Sequence, residues 1–176
     1  MASIFFSHGT ADYPIAAYFK IQLEQMDSRV YLFEHDQQPG QNVADKLQKN
    51  IDASDIVFVL LTKQSQDAPY VHQEIGYAEK ARKPVIPLVE SGTGPRVLGM
   101  LAGREYIPFD PNNPDKSLSQ AQTYVHNHDM AKLIGELNIV GGMLKTAEAV
   151  NTALLVGLVV TLLMLYYATN TQQGQE

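Results

Sequence analysis

The sequence contains no cysteine. Disulfide frameworks, thiolate metal sites and cysteine nucleophiles are excluded, and the lack of cross-links is what a cytosolic domain would show. Basic residues are scarce: 13 Lys and Arg stand against 19 Asp and Glu, a formal net charge of -6. A chain without a basic footprint is a poor candidate for nucleic-acid binding. No G-x-G-x-x-G follows the first apolar run, and there is no G-x-x-x-x-G-K-[ST], so dinucleotide-fingerprint and P-loop readings fail. The histidines show neither His-x3-His nor His-Glu-x-x-His spacing; even the near neighbours His126 and His128 lack it, and no metal site is expected. Ser7-His8 is not a nucleophile with its base, because no G-x-S-x-G elbow surrounds it and successive strand residues point to opposite faces. Charge vanishes from residues 149–175.

What remains is 176 residues, 45% of them hydrophobic, enough for one globular domain with an appendage. Short apolar runs alternate with amphipathic stretches. Strands are expected at residues 4–6, 30–33, 56–61 and 85–89, with a short fifth at 105–108. Between them, Ile15, Phe19, Leu23 and Met26 recur at helical spacing, as do Val43, Leu47 and Ile51, and then Val71, Ile75 and Ala78. Asp12 before Pro14 reads as a helix start, and a last helix is expected from about Ser117 to Leu137. The run 56–61 is apolar without alternation, so it suits a strand buried on both faces in a parallel sheet. The order predicts an α/β, flavodoxin-like doubly wound parallel sheet, whose ligand cleft lies at the carboxyl ends of the strands.

Residues 149–168 would rise roughly 30 Å as a helix, about one hydrocarbon core. Tyr166 and Tyr167 suit an interface. Lys132 and Lys145 precede the segment and no Lys or Arg follows it, which puts the large domain in the cytoplasm. The reading is a single-pass C-terminal membrane anchor: residues 1–140 form the domain, 141–148 a linker, 149–168 the transmembrane helix and 169–176 a polar tail. Asn151 and Thr152 shorten the apolar part, and the alternative is a helix buried in an oligomer. Ala149, Ala153, Gly157 and Thr161 form a small-residue stripe compatible with self-association.

Among residues that could carry chemistry, Glu74 stands out. It lies on the helix that follows the third strand, with Tyr70 four residues earlier on the same face. An aromatic ring beside a carboxylate at a cleft mouth can hold a flat cationic ring over the acid. The alternative is a solvated helix glutamate.

From about Ser3 to Phe109 the chain resembles a bacterial-type TIR (Toll/interleukin-1 receptor) domain. Ile4-Phe5-Phe6-Ser7-His8 looks like the family's first strand. Val30-Tyr31-Leu32-Phe33-Glu34-His35-Asp36 with Pro39-Gly40 looks like the second strand and the BB loop (here residues 37–42). The stretch 52–62 looks like the third strand, and Ser65, Tyr70 and Glu74, followed by 83–89, look like the helix with the catalytic glutamate and the fourth strand. The resemblance implies cleavage of NAD+ into nicotinamide and an ADP-ribose product, with NAD+ as substrate and no cofactor. Nicotinamide is cationic in NAD+ and leaves neutral, so no general acid is required and one anion can stabilise an oxocarbenium-like ribose. It assigns Glu74 that role. Tyr70 takes the place of a frequent Trp as a ring-packing residue, and Phe6, Ser7 and His8 border the nucleotide, with Ser65 and Asp36 as further site residues. Pro39 and Gly40 lie in the loop expected to bridge subunits. No Arg or Lys falls in residues 7–13 or 37–42, so backbone N–H groups or a neighbouring subunit would meet the phosphates.

The expected function is a membrane-anchored TIR NAD+ nucleosidase, activated by self-assembly in prokaryotic antiphage defence or immune signalling. Its expected partners are NAD+, further copies, the membrane and other TIR proteins. Two alternatives stand beside it: a non-catalytic TIR adaptor, and an effector whose clustered tails disrupt membranes.

Overall fold

The computed structural model describes residues 1–33, 42–65, 68–93, 95–145 and 152–172. Among the described residues five strands alternate with helices: β1 (Ser3–Ser7), α1 (Tyr13–Glu24), β2 (Arg29–Leu32), α2 (Val43–Asp52), β3 (Ile56–Leu61), α3 (Pro69–Lys80), β4 (Val85–Glu90), β5 (Ile107–Phe109), α4 (Asp115–Lys145) and α5 (Thr152–Gln172). A 3-10 turn, Thr10–Asp12, leads into α1, and an irregular one, Pro95–Leu101, lies between β4 and β5. The strands form one parallel sheet in the order β2-β1-β3-β4-β5. This is the flavodoxin-like order, and its topological switch point lies between β1 and β3. The carboxyl ends of those two strands, at Ser7 and Leu61, therefore mark the cleft.

The chain divides into two units, residues 1–129 and 130–176. In the first, strand alternation sorts the core into two layers. Ile4, Phe6, Ile56, Phe58 and Leu60 face α1 and the start of α4, where Phe19, Leu23, Leu118 and Ala121 meet them. Phe5, Val57, Val59 and Leu61 face α2 and α3, meeting Ile51, Val71, Ile75 and Ala78. All six residues of β3 are buried, so an unbroken apolar run is what two covered faces require.

Several expectations shift by a turn or less. Met26 is 40% exposed because α1 stops at Glu24 and Asp27, at φ 58°, turns the chain away. Val43, at the first turn of α2, is exposed while Ile51 at the other end is buried. The fifth strand runs Ile107–Phe109 rather than 105–108, anchored by the buried Phe109.

The tail requires a correction. A helix forms there as α5, but among the described residues no helix is long and apolar enough to cross a membrane. The exposed side chains of α5 include Leu158, Leu162, Met164 and Leu165. The transmembrane span is thus not supported.

Candidate functional site

Glu74 lies on the buried stripe of α3. Val71, Ile75 and Ala78 define that stripe, and residue 74, three after 71 and four before 78, falls within it. The carboxyl is accordingly 1% exposed, which rules out the solvated-glutamate reading. Removal from water disfavours its charged form and pushes its pKa up from 4.5 to about 7.

Ser7, the last residue of β1, is on the sheet face that carries Phe5, the face covered by α3. Its hydroxyl acts against the burial effect, as a donor that lowers the Glu74 pKa. Yet neither Ser7 Oγ nor Glu74 Oε2 has a partner in hydrogen-bond geometry. The hydroxyl is near enough to bias the carboxyl but is not seated on it.

His8 is 7% exposed, and its Nδ1 lies 2.9 Å from the Gly9 carbonyl. A carbonyl only accepts, so Nδ1 carries the proton and donates, which leaves Nε2 buried and unpartnered. The His8 ring lies 5.9 Å from that of the half-exposed Tyr13. Tyr70 is half-buried one turn before Glu74, and its hydroxyl accepts from Thr10 N at 2.7 Å, with Thr10 Oγ1 at 2.9 Å.

Other expected residues are elsewhere. Phe6 does not border a nucleotide: strand alternation turns it to the opposite sheet face, where it is fully buried against Phe19 and Phe58 at 5.6 and 6.0 Å. Ser65 is buried and its hydroxyl is taken up within its own turn, lying 3.0 Å from Thr62 Oγ1 and accepting from Thr62 N at 3.2 Å. Asp36, Pro39 and Gly40 lie outside the described residues.

Sequence reasoning missed two residues that join the loops after β1 and β3. Gly9 is one: a Cβ there would fall 2.3 Å from Ser65 Cβ, so only glycine lets the two loops meet. A glycine two residues past the end of a strand is the available signal. Asp12 is another. Its side chain caps no helix; instead it accepts from Thr62 Oγ1 at 3.0 and 2.9 Å, joining the ends of β1 and β3 across 50 residues. No local pattern announces such a pairing.

Among the described residues no group of three or more metal-ligating side chains comes together. Lys63, beside the end of β3, has its ammonium 3.3 Å from the Glu90 carboxylate. A groove of about 490 Å³ along α2, lined by Tyr31, Asn42, Asp45, Lys46, Lys49 and Asn50, includes none of the expected site residues.

The strand order and the buried acid near the end of β1 make this a flavodoxin-like α/β domain with a carboxyl close to the sheet's switch point. The chain belongs to the TIR domain family, whose model matches residues 4–122. Solved structures share the fold. The TIR domains of the activated Roq1 resistosome, which recognizes the pathogen effector XopQ, are 13% identical with a TM-score of 0.58 over 71% of this chain and 99% of that one. The TIR domain of the Toll-related receptor TRR-2 from Hydra magnipapillata is 12% identical with a TM-score of 0.58, over 73% and 99%. A CMP N-glycosidase from Clostridium botulinum is 18% identical with a TM-score of 0.53, over 69% and 98%. No curated protein matches the chain.

Proposed function

We infer that this TIR domain is an NAD+ nucleosidase that breaks the bond between nicotinamide and ribose, with Glu74 as its catalytic anion. The observation that carries this reading is the carboxyl itself: buried, unpartnered at Oε2 and next to the switch point of the sheet. The leaving nicotinamide already bears positive charge and departs neutral, so the protein need not protonate it. What it must supply is negative charge near C1′ as the ribose becomes oxocarbenium-like, which a desolvated carboxylate does more strongly than a hydrated one. Ser7 Oγ and His8 Nε2 offer a donor and an acceptor to ribose hydroxyls. The fold's occurrence in a CMP N-glycosidase supports the view that this scaffold accommodates chemistry at an N-glycosidic bond.

Self-association through the TIR domain is the activation we propose, and immune signalling or antiphage defence is the setting. The test is nicotinamide release from NAD+ by the full-length protein at several densities, beside Glu74→Gln. Loss of release on the order of 10²-fold or more in a folded variant supports the reading. Absence of release from the assembled wild type overturns it in favour of a TIR adaptor.

A further inference from the structure

With Glu74 1% exposed and Ser7 fully buried, no substrate can touch the carboxyl in this conformation. The segment between β1 and α1 starts at Ser7, whose hydroxyl influences the Glu74 carboxyl, and reaches Tyr70 on the same helix as Glu74. On its inner side, Gly9 is packed against Ser65 and Asp12 is bound to Thr62, all of them buried. On its outer side, Thr10 is exposed and is tied to Tyr70, 60 residues away, by a backbone N–H at 2.7 Å and a hydroxyl at 2.9 Å. Tyr70 belongs to the same helical face as Glu74, one turn earlier. The ring thus spans from the helix that carries the acid to the segment that leads away from Ser7.

The two kinds of tie differ in strength. Breaking an inner tie leaves a buried polar group unsatisfied, whereas the outer hydrogen bonds are at the surface, where water replaces them at small net loss. The outer tie is the one that can open and close.

We propose that Tyr70 is a latch: its hydroxyl, bound to Thr10, closes the way to Glu74 in the resting protein, and release of that pair admits the substrate. The closure stands on the geometry alone; that the admitted molecule is NAD+ rests on the nucleosidase reading. The device is specific to tyrosine, because phenylalanine keeps the ring and loses the tie. Tyr70 here is a positioning residue, acting through the loop.

The experiment uses full-length Tyr70→Phe and Thr10→Val, with melting curves to establish that each is folded. Carbodiimide labelling of Glu74, read by peptide mass spectrometry, and hydrogen exchange of the Thr10 amide report opening without reference to catalysis. In Tyr70→Phe both rates are expected to rise about threefold to tenfold, the small net loss left when water replaces the two surface hydrogen bonds. Thr10→Val, which keeps the backbone donor, is expected to give a smaller rise and supplies the comparison should Tyr70→Phe fail to fold. Unchanged labelling and exchange in folded variants overturn the latch. Faster labelling with no nicotinamide release from any form supports the latch and refutes the nucleosidase reading.

Discussion

Replacing Glu74 by Gln should make the domain more stable above neutral pH and remove a pH dependence that the wild type carries. The unfolded chain holds this carboxyl near 4.5, and burial raises it to about 7 in the native state. Between those values the native state binds more protons than the unfolded one, so stability falls as pH rises. The contribution is complete below 4.5, declines through the interval and levels off once Glu74 is ionised in both states. A shift of about 2.5 pK units at about 1.36 kcal/mol each gives an upper bound near 3 kcal/mol. The group is 1% exposed, so solvent screening reduces this little, and about 2–3 kcal/mol is expected. For a unit of this size that is roughly 10 °C in Tm. Gln has the same shape and no charge to desolvate. Urea melts from pH 4.5 to 8.5 should show wild-type stability declining and the variant's curve flatter by that amount. Parallel curves for the two proteins would refute the claim that the buried carboxyl becomes charged at the protein's expense.

The remaining expectations concern the surrounding residues. If Glu74 acts as an anion, nicotinamide release should rise with pH through about 7; Ser7→Ala removes a donor that lowers that pKa, so its acid limb should move to higher pH in a rate profile. Gly9→Ala forces a Cβ to within 2.3 Å of Ser65 Cβ and should cost about 1–3 kcal/mol in denaturant melts, partly recovered in Gly9→Ala/Ser65→Gly. Thr62→Val removes the hydroxyl that lies 3.0 and 2.9 Å from the two Asp12 carboxylate oxygens and should cost about 1–3 kcal/mol. Phe6→Ala should cost about 3–5 kcal/mol while leaving the Glu74 pH dependence in place, since the ring is on the other face of the sheet.

How much of this was legible follows from the range of the forces involved. β3 could be read from its composition because burial on both faces demands an unbroken apolar run, and α3 because Val71, Ile75 and Ala78 repeat at one face. The same repeat held the burial of Glu74, which sits between them. Phe6 was misread although strand alternation contained the answer: Phe5 and Ser7 share one face, so Phe6 must take the other. Asp12 does stand at the start of α1, but the partner of its side chain was illegible for a different reason. A helix cap is a local bond and leaves a local signature, whereas the bond to Thr62 exists only once β1 and β3 pair. The tie between Thr10 and Tyr70 is illegible in the same way.

The unsatisfied groups bear on whether the site is built for stability or for a ligand. Ser7 Oγ, His8 Nε2 and Glu74 Oε2 are buried without partners, and Ser7 and His8 are consecutive at the end of β1. Each such group costs about 1–3 kcal/mol, enough that an apolar residue there would stabilise the fold. Simple packing does not account for the arrangement, because β1 and α3 are otherwise apolar at their contact through Phe5, Val71 and Ile75. A ligand bearing vicinal hydroxyls and a positive centre would satisfy all three. The apo domain should therefore gain stability on binding an uncleavable dinucleotide analogue, by more than Glu74→Gln or Ser7→Ala gains from it. Equal thermal shifts in all three proteins would mean that these polar atoms are not where the ligand sits.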